Sequence, residues 1–90
     1  MNERKIMCMY CKHDYMHRIR TDIFKRGEDE EKCLHIIVDE DGCLCNYDDN
    51  KLNPSDRRDG LIITFRCEEC SKLTYLKIYQ HKGNEFYETY

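Results

Sequence analysis

The chain has 90 residues, of which 40% are hydrophobic and 37% are charged, and its formal net charge is −3. A chain of this length has room for one small domain, in which a thin hydrophobic core often depends on a metal ion or a partner for stability. The net charge provides no overall field that would attract nucleic acid. Any contact of that kind therefore needs a local basic face.

The sequence predicts a cytoplasmic protein with reduced cysteines. It contains no apolar run of about 18 residues for a membrane span, and its first residues, MNERKIMCMY, lack the apolar stretch of a secretory signal. The seven cysteines are an odd number, which disfavours a disulfide scaffold. With a mean hydropathy of −0.89, we expect a soluble chain without a membrane partner.

Charge is distributed unevenly along the chain. Residues 1–26 carry a net charge of +4, residues 27–59 carry −7 and residues 60–90 carry 0. Runs of acidic residues such as EDEE and DED are typical of solvated loops. They also offer a surface on which another protein could bind.

Turn-forming residues divide the chain into short segments rich in Ile, Tyr, Thr and Val, a composition typical of strands. Turns or loops are predicted near residues 25–32, 39–42, 48–60 and 81–84. In the segment HDYMHRIRTDIFK the alternation of side chains favours a strand, and a helix over residues 14–25 is left open. The predicted fold class is mainly β, with five or six antiparallel strands.

The segment CLHIIVDEDGCLCNY predicts a hairpin that turns at DEDG. If Val38 pairs with either Cys43 or Cys45, then Ile36 and Val38 share a face with both cysteines. We expect that face to be buried.

Cys33 and His35, together with Cys43 and Cys45, suggest a second metal site at first sight. In either register of the hairpin, however, Cys33 and His35 lie too far back along their strand to face the other two. We therefore expect these three cysteines to act as small apolar residues.

Two CxxC pairs carry the strongest signal in the sequence. Cys8 and Cys11 form the first pair, and Cys67 and Cys70 form the second after 55 intervening residues. Each pair on a tight turn offers two sulfurs to one metal ion, so two pairs supply the four thiolates of a tetrahedral site. We predict one structural Zn²⁺ bound by these four cysteines.

With a first knuckle CMYCKH, an antiparallel sheet, a second knuckle CEECSK and a terminal hairpin, the chain resembles the zinc ribbon family. It also looks like small uncharacterised ribbon proteins of bacteria and phages. The resemblance covers the two knuckles and the strand-turn-strand after the second, about a third of the chain, and it carries over the four cysteines as ligands. We expect one domain over residues 1–90, with knuckles at 8–11 and 67–70, a β-rich insertion at about 13–60 and a terminal hairpin at 72–90. Lys12 and Ser71 stand where many ribbons have glycine.

Iron binding, a redox pair and a histidine ligand are the alternatives to a four-cysteine zinc site. Rubredoxin-like iron uses the same ligands for electron transfer, but the chain has no Trp and lacks both knuckle glycines. A thioredoxin-like redox pair requires a helix directly after its first cysteine. His13 or His17 could replace one cysteine, although four thiolates already complete the site.

The strand after the second knuckle, LTYLKIYQ, is the best candidate for a binding face. Its alternation places Tyr75, Lys77 and Tyr79 on one side. Aromatic rings interleaved with cations can stack on unpaired bases and contact phosphates. Arg18 and Arg20 could extend that face if the first strand lies alongside.

The sequence contains no catalytic motif, and a four-thiolate zinc has no open position for a substrate or water. We therefore expect a non-enzymatic module without a small-molecule substrate, which acts by binding another protein. Nucleic-acid binding through the tyrosine and lysine face is the alternative, and an iron electron carrier is the third hypothesis.

Overall fold

The computed structural model describes residues 5–27, 30–48, 52–55 and 58–90. These residues form no helix, and hence no helix that could cross a membrane. Six strands are present: β1 Met16–Lys25, β2 Cys33–Asp39, β3 Gly42–Asp48, β4 Gly60–Cys67, β5 Leu73–His81 and β6 Asn84–Thr89. The mainly β fold class is confirmed, and the segment for which a helix was left open is the strand β1.

All six strands belong to one open antiparallel sheet in the order β3-β2-β1-β4-β5-β6. The first three strands, β1 to β3, therefore extend the sheet that carries the second knuckle, because β1 pairs directly with β4. In the β2–β3 hairpin Val38 pairs with Cys43, one of the two predicted registers. Gly42 closes this hairpin with a φ of 138°, a conformation that favours glycine.

A β-bulge in β1 separates the two arginines of the predicted binding face. Arg20 pairs with Thr64 and Arg18 pairs with the adjacent Phe65, so the residue between them is extra. An extra residue reverses the alternation of side chains. Arg18 and Arg20 therefore lie on opposite faces of the sheet.

One face of the sheet carries two rows of side chains that are direct cross-strand neighbours and run across all six strands. We call it the aliphatic face, and we call the other the aromatic face because it carries Phe24, Tyr75 and Tyr79. The two rows are Cys45, Ile36, Ile23, Leu61, Ile78 and Tyr87, and then Cys43, Val38, Thr21, Ile63, Leu76 and Thr89.

The aliphatic face is open at both edges of the sheet. At β6, Met7 borders a cavity together with Tyr87 and Thr89, but Tyr87 remains 69% exposed. At the other end, Val38 is 42% exposed. The strands contact only their neighbours in the sheet, so the described strands form a single layer.

The expected burial of the hairpin face is wrong, because Cys43 and Cys45 are both exposed. They lie on the outermost strand, β3, where no described segment covers them. Cys33 is buried as expected. It lies on the aromatic face beside His35, whose ring stacks on Phe24 at a centroid distance of 4.3 Å.

Candidate metal centre

The first knuckle is a tight turn closed at both ends by backbone hydrogen bonds. The N–H of Lys12 donates to the carbonyl of Cys8 at 3.1 Å, and the N–H of Cys8 donates to the carbonyl of His13 at 2.9 Å. The N–H of Tyr10 points at the Cys8 sulfur, 3.4 Å away. The turn therefore holds a hydrogen-bond donor, the N–H of Tyr10, next to the Cys8 sulfur.

The second knuckle repeats this turn. The N–H of Ser71 donates to the carbonyl of Cys67, and the N–H of Cys67 donates to the carbonyl of Lys72, both at 3.0 Å. Lys12 and Ser71 occupy equivalent positions with φ of 65° and 63°. These are the positions where glycine is common in ribbons, so the same geometry is reached here with ordinary residues.

The sheet brings the two knuckles together. Cys67 ends β4 directly opposite Met16, the first residue of β1, so the chain that leaves the first knuckle enters the sheet beside the second. Two further bonds fix the arrangement: Met9 N–H donates to Thr74 Oγ1 at 3.1 Å, and Glu68 N–H donates to the carbonyl of Tyr15 at 3.0 Å.

The four predicted ligands lie together in space. The sulfurs of Cys8, Cys11, Cys67 and Cys70 are all within 4.8 Å of one another. Cys8 lies 3.5 Å from Cys70, and Cys11 lies 3.5 Å from Cys67, sulfur to sulfur. Zinc–sulfur bonds of about 2.3 Å in a tetrahedron place sulfurs about 3.8 Å apart. The cluster thus has the size of a four-thiolate metal site.

The thiols of Cys8, Cys11 and Cys70 differ in their pKa. Backbone donation from Cys11 and then Tyr10, against the effect of burial, lowers the pKa of Cys8 to about 6. Donation from the His13 N–H also lowers the pKa of Cys11, but the neighbouring sulfur of Cys67 and burial outweigh this donation. They raise the pKa of Cys11 to about 12. For Cys70, burial and the sulfurs of Cys8 and Cys67 outweigh the N–H of Lys72 and raise the pKa.

This pattern shows that sulfurs so close together compete for negative charge. One thiolate forms readily, and its neighbours are then held in the protonated form. A bound divalent cation removes the competition, because its charge stabilises all four thiolates at once. The cluster is therefore suited chemically to a metal ion as well as in size.

Neither histidine near the first knuckle belongs to the cluster. His13 Nε2 lies 3.7 Å from a carboxylate oxygen of Glu69, and His17 Nε2 lies 3.5 Å from one of Glu68. Within the described part of the chain, the four cysteines are the only group of three or more residues arranged to hold a metal.

Tyr75, Lys77 and Tyr79 share the aromatic face as predicted. Their side chains, however, already contact Phe86 of β6 and Tyr90, which directly follows β6. Tyr75 stacks on Tyr90 at 5.0 Å and Tyr79 on Phe86 at 5.7 Å between ring centroids. Lys77 Nζ lies 4.0 Å above the Tyr90 ring. The role of Phe86 and Tyr90 was missed, although the alternation of NEFYETY places both on one face.

The two arginines are placed differently. Arg20 lines a cavity of about 380 Å³ together with Tyr75, Tyr90 and Leu52. Arg18 lies on the aliphatic face, with its guanidinium carbon 6.0 Å from the centre of the Phe65 ring. The structure therefore groups Arg20, but not Arg18, with the predicted tyrosine and lysine residues.

A buried ion network beneath Arg20 was also missed by sequence reasoning. Arg20 donates to both carboxylate oxygens of Asp22 at 2.7 and 2.8 Å, and His35 Nε2 lies 2.8 Å from Asp22 Oδ2. The network explains why His35 is buried without being a metal ligand. No short motif in the sequence marks it, since the contact joins β1 to β2.

Comparison of the chain with protein-family models, with curated proteins and with solved structures gives no match. The class of protein is defined by the fold and the site alone. It is a small all-β protein with one open antiparallel sheet and a four-cysteine cluster that could hold a metal ion.

Proposed function

We propose that the protein is a non-enzymatic module of the zinc ribbon kind, held together by one structural Zn²⁺, which acts by binding another protein. Four thiolates fill a tetrahedral zinc site completely and leave no position for water or substrate. The ligands are Cys8, Cys11, Cys67 and Cys70.

Zinc is preferred to iron on the chemistry of the surroundings. The cluster lies near the surface, with Cys11 exposed and Cys70 half-buried. Zinc has no redox chemistry, so access of water costs it little. Iron in the same site would support electron transfer and would colour the purified protein.

The observation that carries the binding role is the aliphatic face. A sheet with one apolar face normally buries it against a second layer. Here the strands form a single layer, and the face remains open where Ile36 is half-buried and Val38 exposed. An open apolar surface of this kind supports a role in binding a protein partner.

A photo-reactive residue at Val38 tests this role in the host cell. We expect crosslinks to a defined protein from Val38, and none from a matched position at Glu85, which is exposed on β6 at the opposite edge. Ile36→Asp should abolish the crosslinks while the metal is retained. Crosslinks that are equal at both positions, or unaffected by Ile36→Asp, would refute the role of the face.

Nucleic-acid binding through Tyr75, Lys77 and Tyr79 remains the alternative. Against it, both rings stack within the sheet, and Lys77 Nζ lies 3.6 Å from a Glu88 carboxylate oxygen. We expect no binding of single-stranded oligonucleotides at low salt. Salt-dependent binding that is lost on changing Tyr75 and Tyr79 to Ala would favour the alternative.

A further inference from the structure

The outer side of β3 is an unpaired sheet edge among the described residues, since β3 stands first in the strand order. Which of its backbone groups face that edge follows from the register. Tyr75 and Tyr90 exchange two hydrogen bonds, at 2.9 and 3.0 Å. Bonded and non-bonded pairs alternate along antiparallel strands.

Because the residues of neighbouring strands are paired, the same alternation can be followed strand by strand from β5 to β3. It places the N–H and C=O of Leu44 on the side of β3 that faces β2. The N–H and C=O of Cys43, Cys45 and Tyr47 consequently point outward. The edge is therefore a ready template for an extended strand.

Residues 42–47 of β3 carry no side chain of the kinds that usually block such a strand. Natural edge strands are usually protected by charges, proline or a bulge. Residues 42–47, GCLCNY, contain no charge and no proline, and Leu44 and Tyr47 are 56% and 64% exposed. The opposite edge, β6, carries Glu85 and Glu88.

We propose that β3 pairs antiparallel with β3 of a second copy of the chain, about a two-fold axis at Leu44. The proposal goes beyond the proposed function, because the second copy pairs along the β3 edge and leaves the aliphatic face open to the protein partner. In this register Cys43 lies opposite Cys45 of the second copy. Both residues point their backbone groups outward, so each such pair can form two hydrogen bonds.

The register is also compatible with the side chains. Leu44 meets Leu44 of the second copy on the aromatic face, and uncharged Gly42 meets uncharged Asn46. On the aliphatic face the four thiols of Cys43 and Cys45 become cross-strand neighbours. The row that includes Ile36 continues from one copy into the next, so that two six-stranded sheets become one.

The first test is the mass of the zinc-loaded protein in reducing buffer by analytical ultracentrifugation. We expect a concentration-dependent dimer of twice 11.0 kDa. Cys45→Pro removes an N–H that points outward, so no hydrogen bond to β2 is lost. Proline is tolerated at such a position on a free edge. Two hydrogen bonds are lost per dimer, so the dissociation constant should rise about tenfold or more.

Tyr87→Pro is the matched control. By the same alternation the Tyr87 N–H points away from β5, at the other edge of the sheet. It should leave the dimer unchanged. A wild-type protein that is monomeric at all concentrations, or a dimer that Cys45→Pro does not weaken, would overturn the pairing. Zinc content and the Val38 crosslinks report on the proposed function separately.

Thiol crosslinking with a short bismaleimide gives a second readout if Cys45→Pro fails to fold. A mixture of Cys43→Ser and Cys45→Ser proteins should crosslink faster than either protein alone, because the register joins Cys45 of one copy to Cys43 of the other. The variant with both cysteines changed should not crosslink. Equal rates for the mixture and the separate proteins would overturn the register.

Discussion

Lys12 and Ser71 adopt the same left-handed backbone conformation, with φ of 65° and 63°, each directly after the second cysteine of its knuckle. Residues with a side chain pay a conformational cost there that glycine does not. Both knuckles have matching backbone hydrogen bonds. The knuckle geometry is therefore specified by the turn and its ligands and not by glycine.

Replacing either residue by glycine should stabilise the protein. We expect Lys12→Gly or Ser71→Gly to raise the free energy of unfolding by about 0.5–1 kcal/mol, since the left-handed strain is relieved. Urea unfolding of the zinc-loaded protein measures the change. Lys72→Gly, one position further on and without a positive φ, should destabilise instead, and stabilisation by it would contradict the explanation.

Gly60→Ala should be costly. A Cβ at this position would clash with Asn53 Oδ1 and lie 2.7 Å from Pro54 Cδ, in the loop that precedes β4. Crowding of this kind typically costs about 1–3 kcal/mol. At Gly27 an added Cβ meets only the flexible Glu30 side chain, so Gly27→Ala serves as the control. Similar urea midpoints for the two variants would contradict the close packing of this loop on Gly60.

Asp22→Asn should destabilise the protein at neutral pH by about 2 kcal/mol, because it weakens the hydrogen bonds that join the buried Asp22 carboxylate to Arg20 and His35. Asp14→Asn is the control. It breaks an exposed pair with Lys5 and should cost much less than Asp22→Asn, because water screens exposed ion pairs. Equal effects of the two changes on the free energy of unfolding would contradict the importance of the buried network.

The effect of Asp22→Asn should depend on pH. Burial raises the pKa of Asp22, but hydrogen bonds from Arg20 and His35 outweigh it and hold the pKa below 3.8. The stabilisation is thus fully present above pH 3.8 and is lost as the pH falls through the lowered pKa. Urea midpoints of both proteins should converge only in acid. A gap that narrows already between pH 8 and pH 6 would refute this origin.

The sequence predicts the local features well. Cysteine spacing identifies the four residues that cluster, and the turn residues of DEDG identify the hairpin. Alternation in LTYLKIYQ places the side chains of Tyr75 and Lys77 on one face correctly. Each of these signals depends only on neighbours within a few residues.

The predictions that were wrong concern features that depend on distant parts of the chain. The bulge between Arg18 and Arg20 arises from pairing with β4, and no glycine or proline marks it. The exposure of Cys43 and Cys45 follows from the position of β3 at the edge, which is set by the order of all six strands. Periodicity shows which side chains share a face, but not whether anything covers that face.

The most direct test of the metal centre is the metal content of purified protein, compared between wild type, Cys67→Ser with Cys70→Ser, and Cys43→Ser with Cys45→Ser. We expect about one zinc per chain in the wild type and in the Cys43 and Cys45 variant, and none, together with loss of the folded state, in the Cys67 and Cys70 variant. A wild-type protein without metal, a coloured iron protein, or zinc retained without Cys67 and Cys70 would contradict the proposed structural zinc.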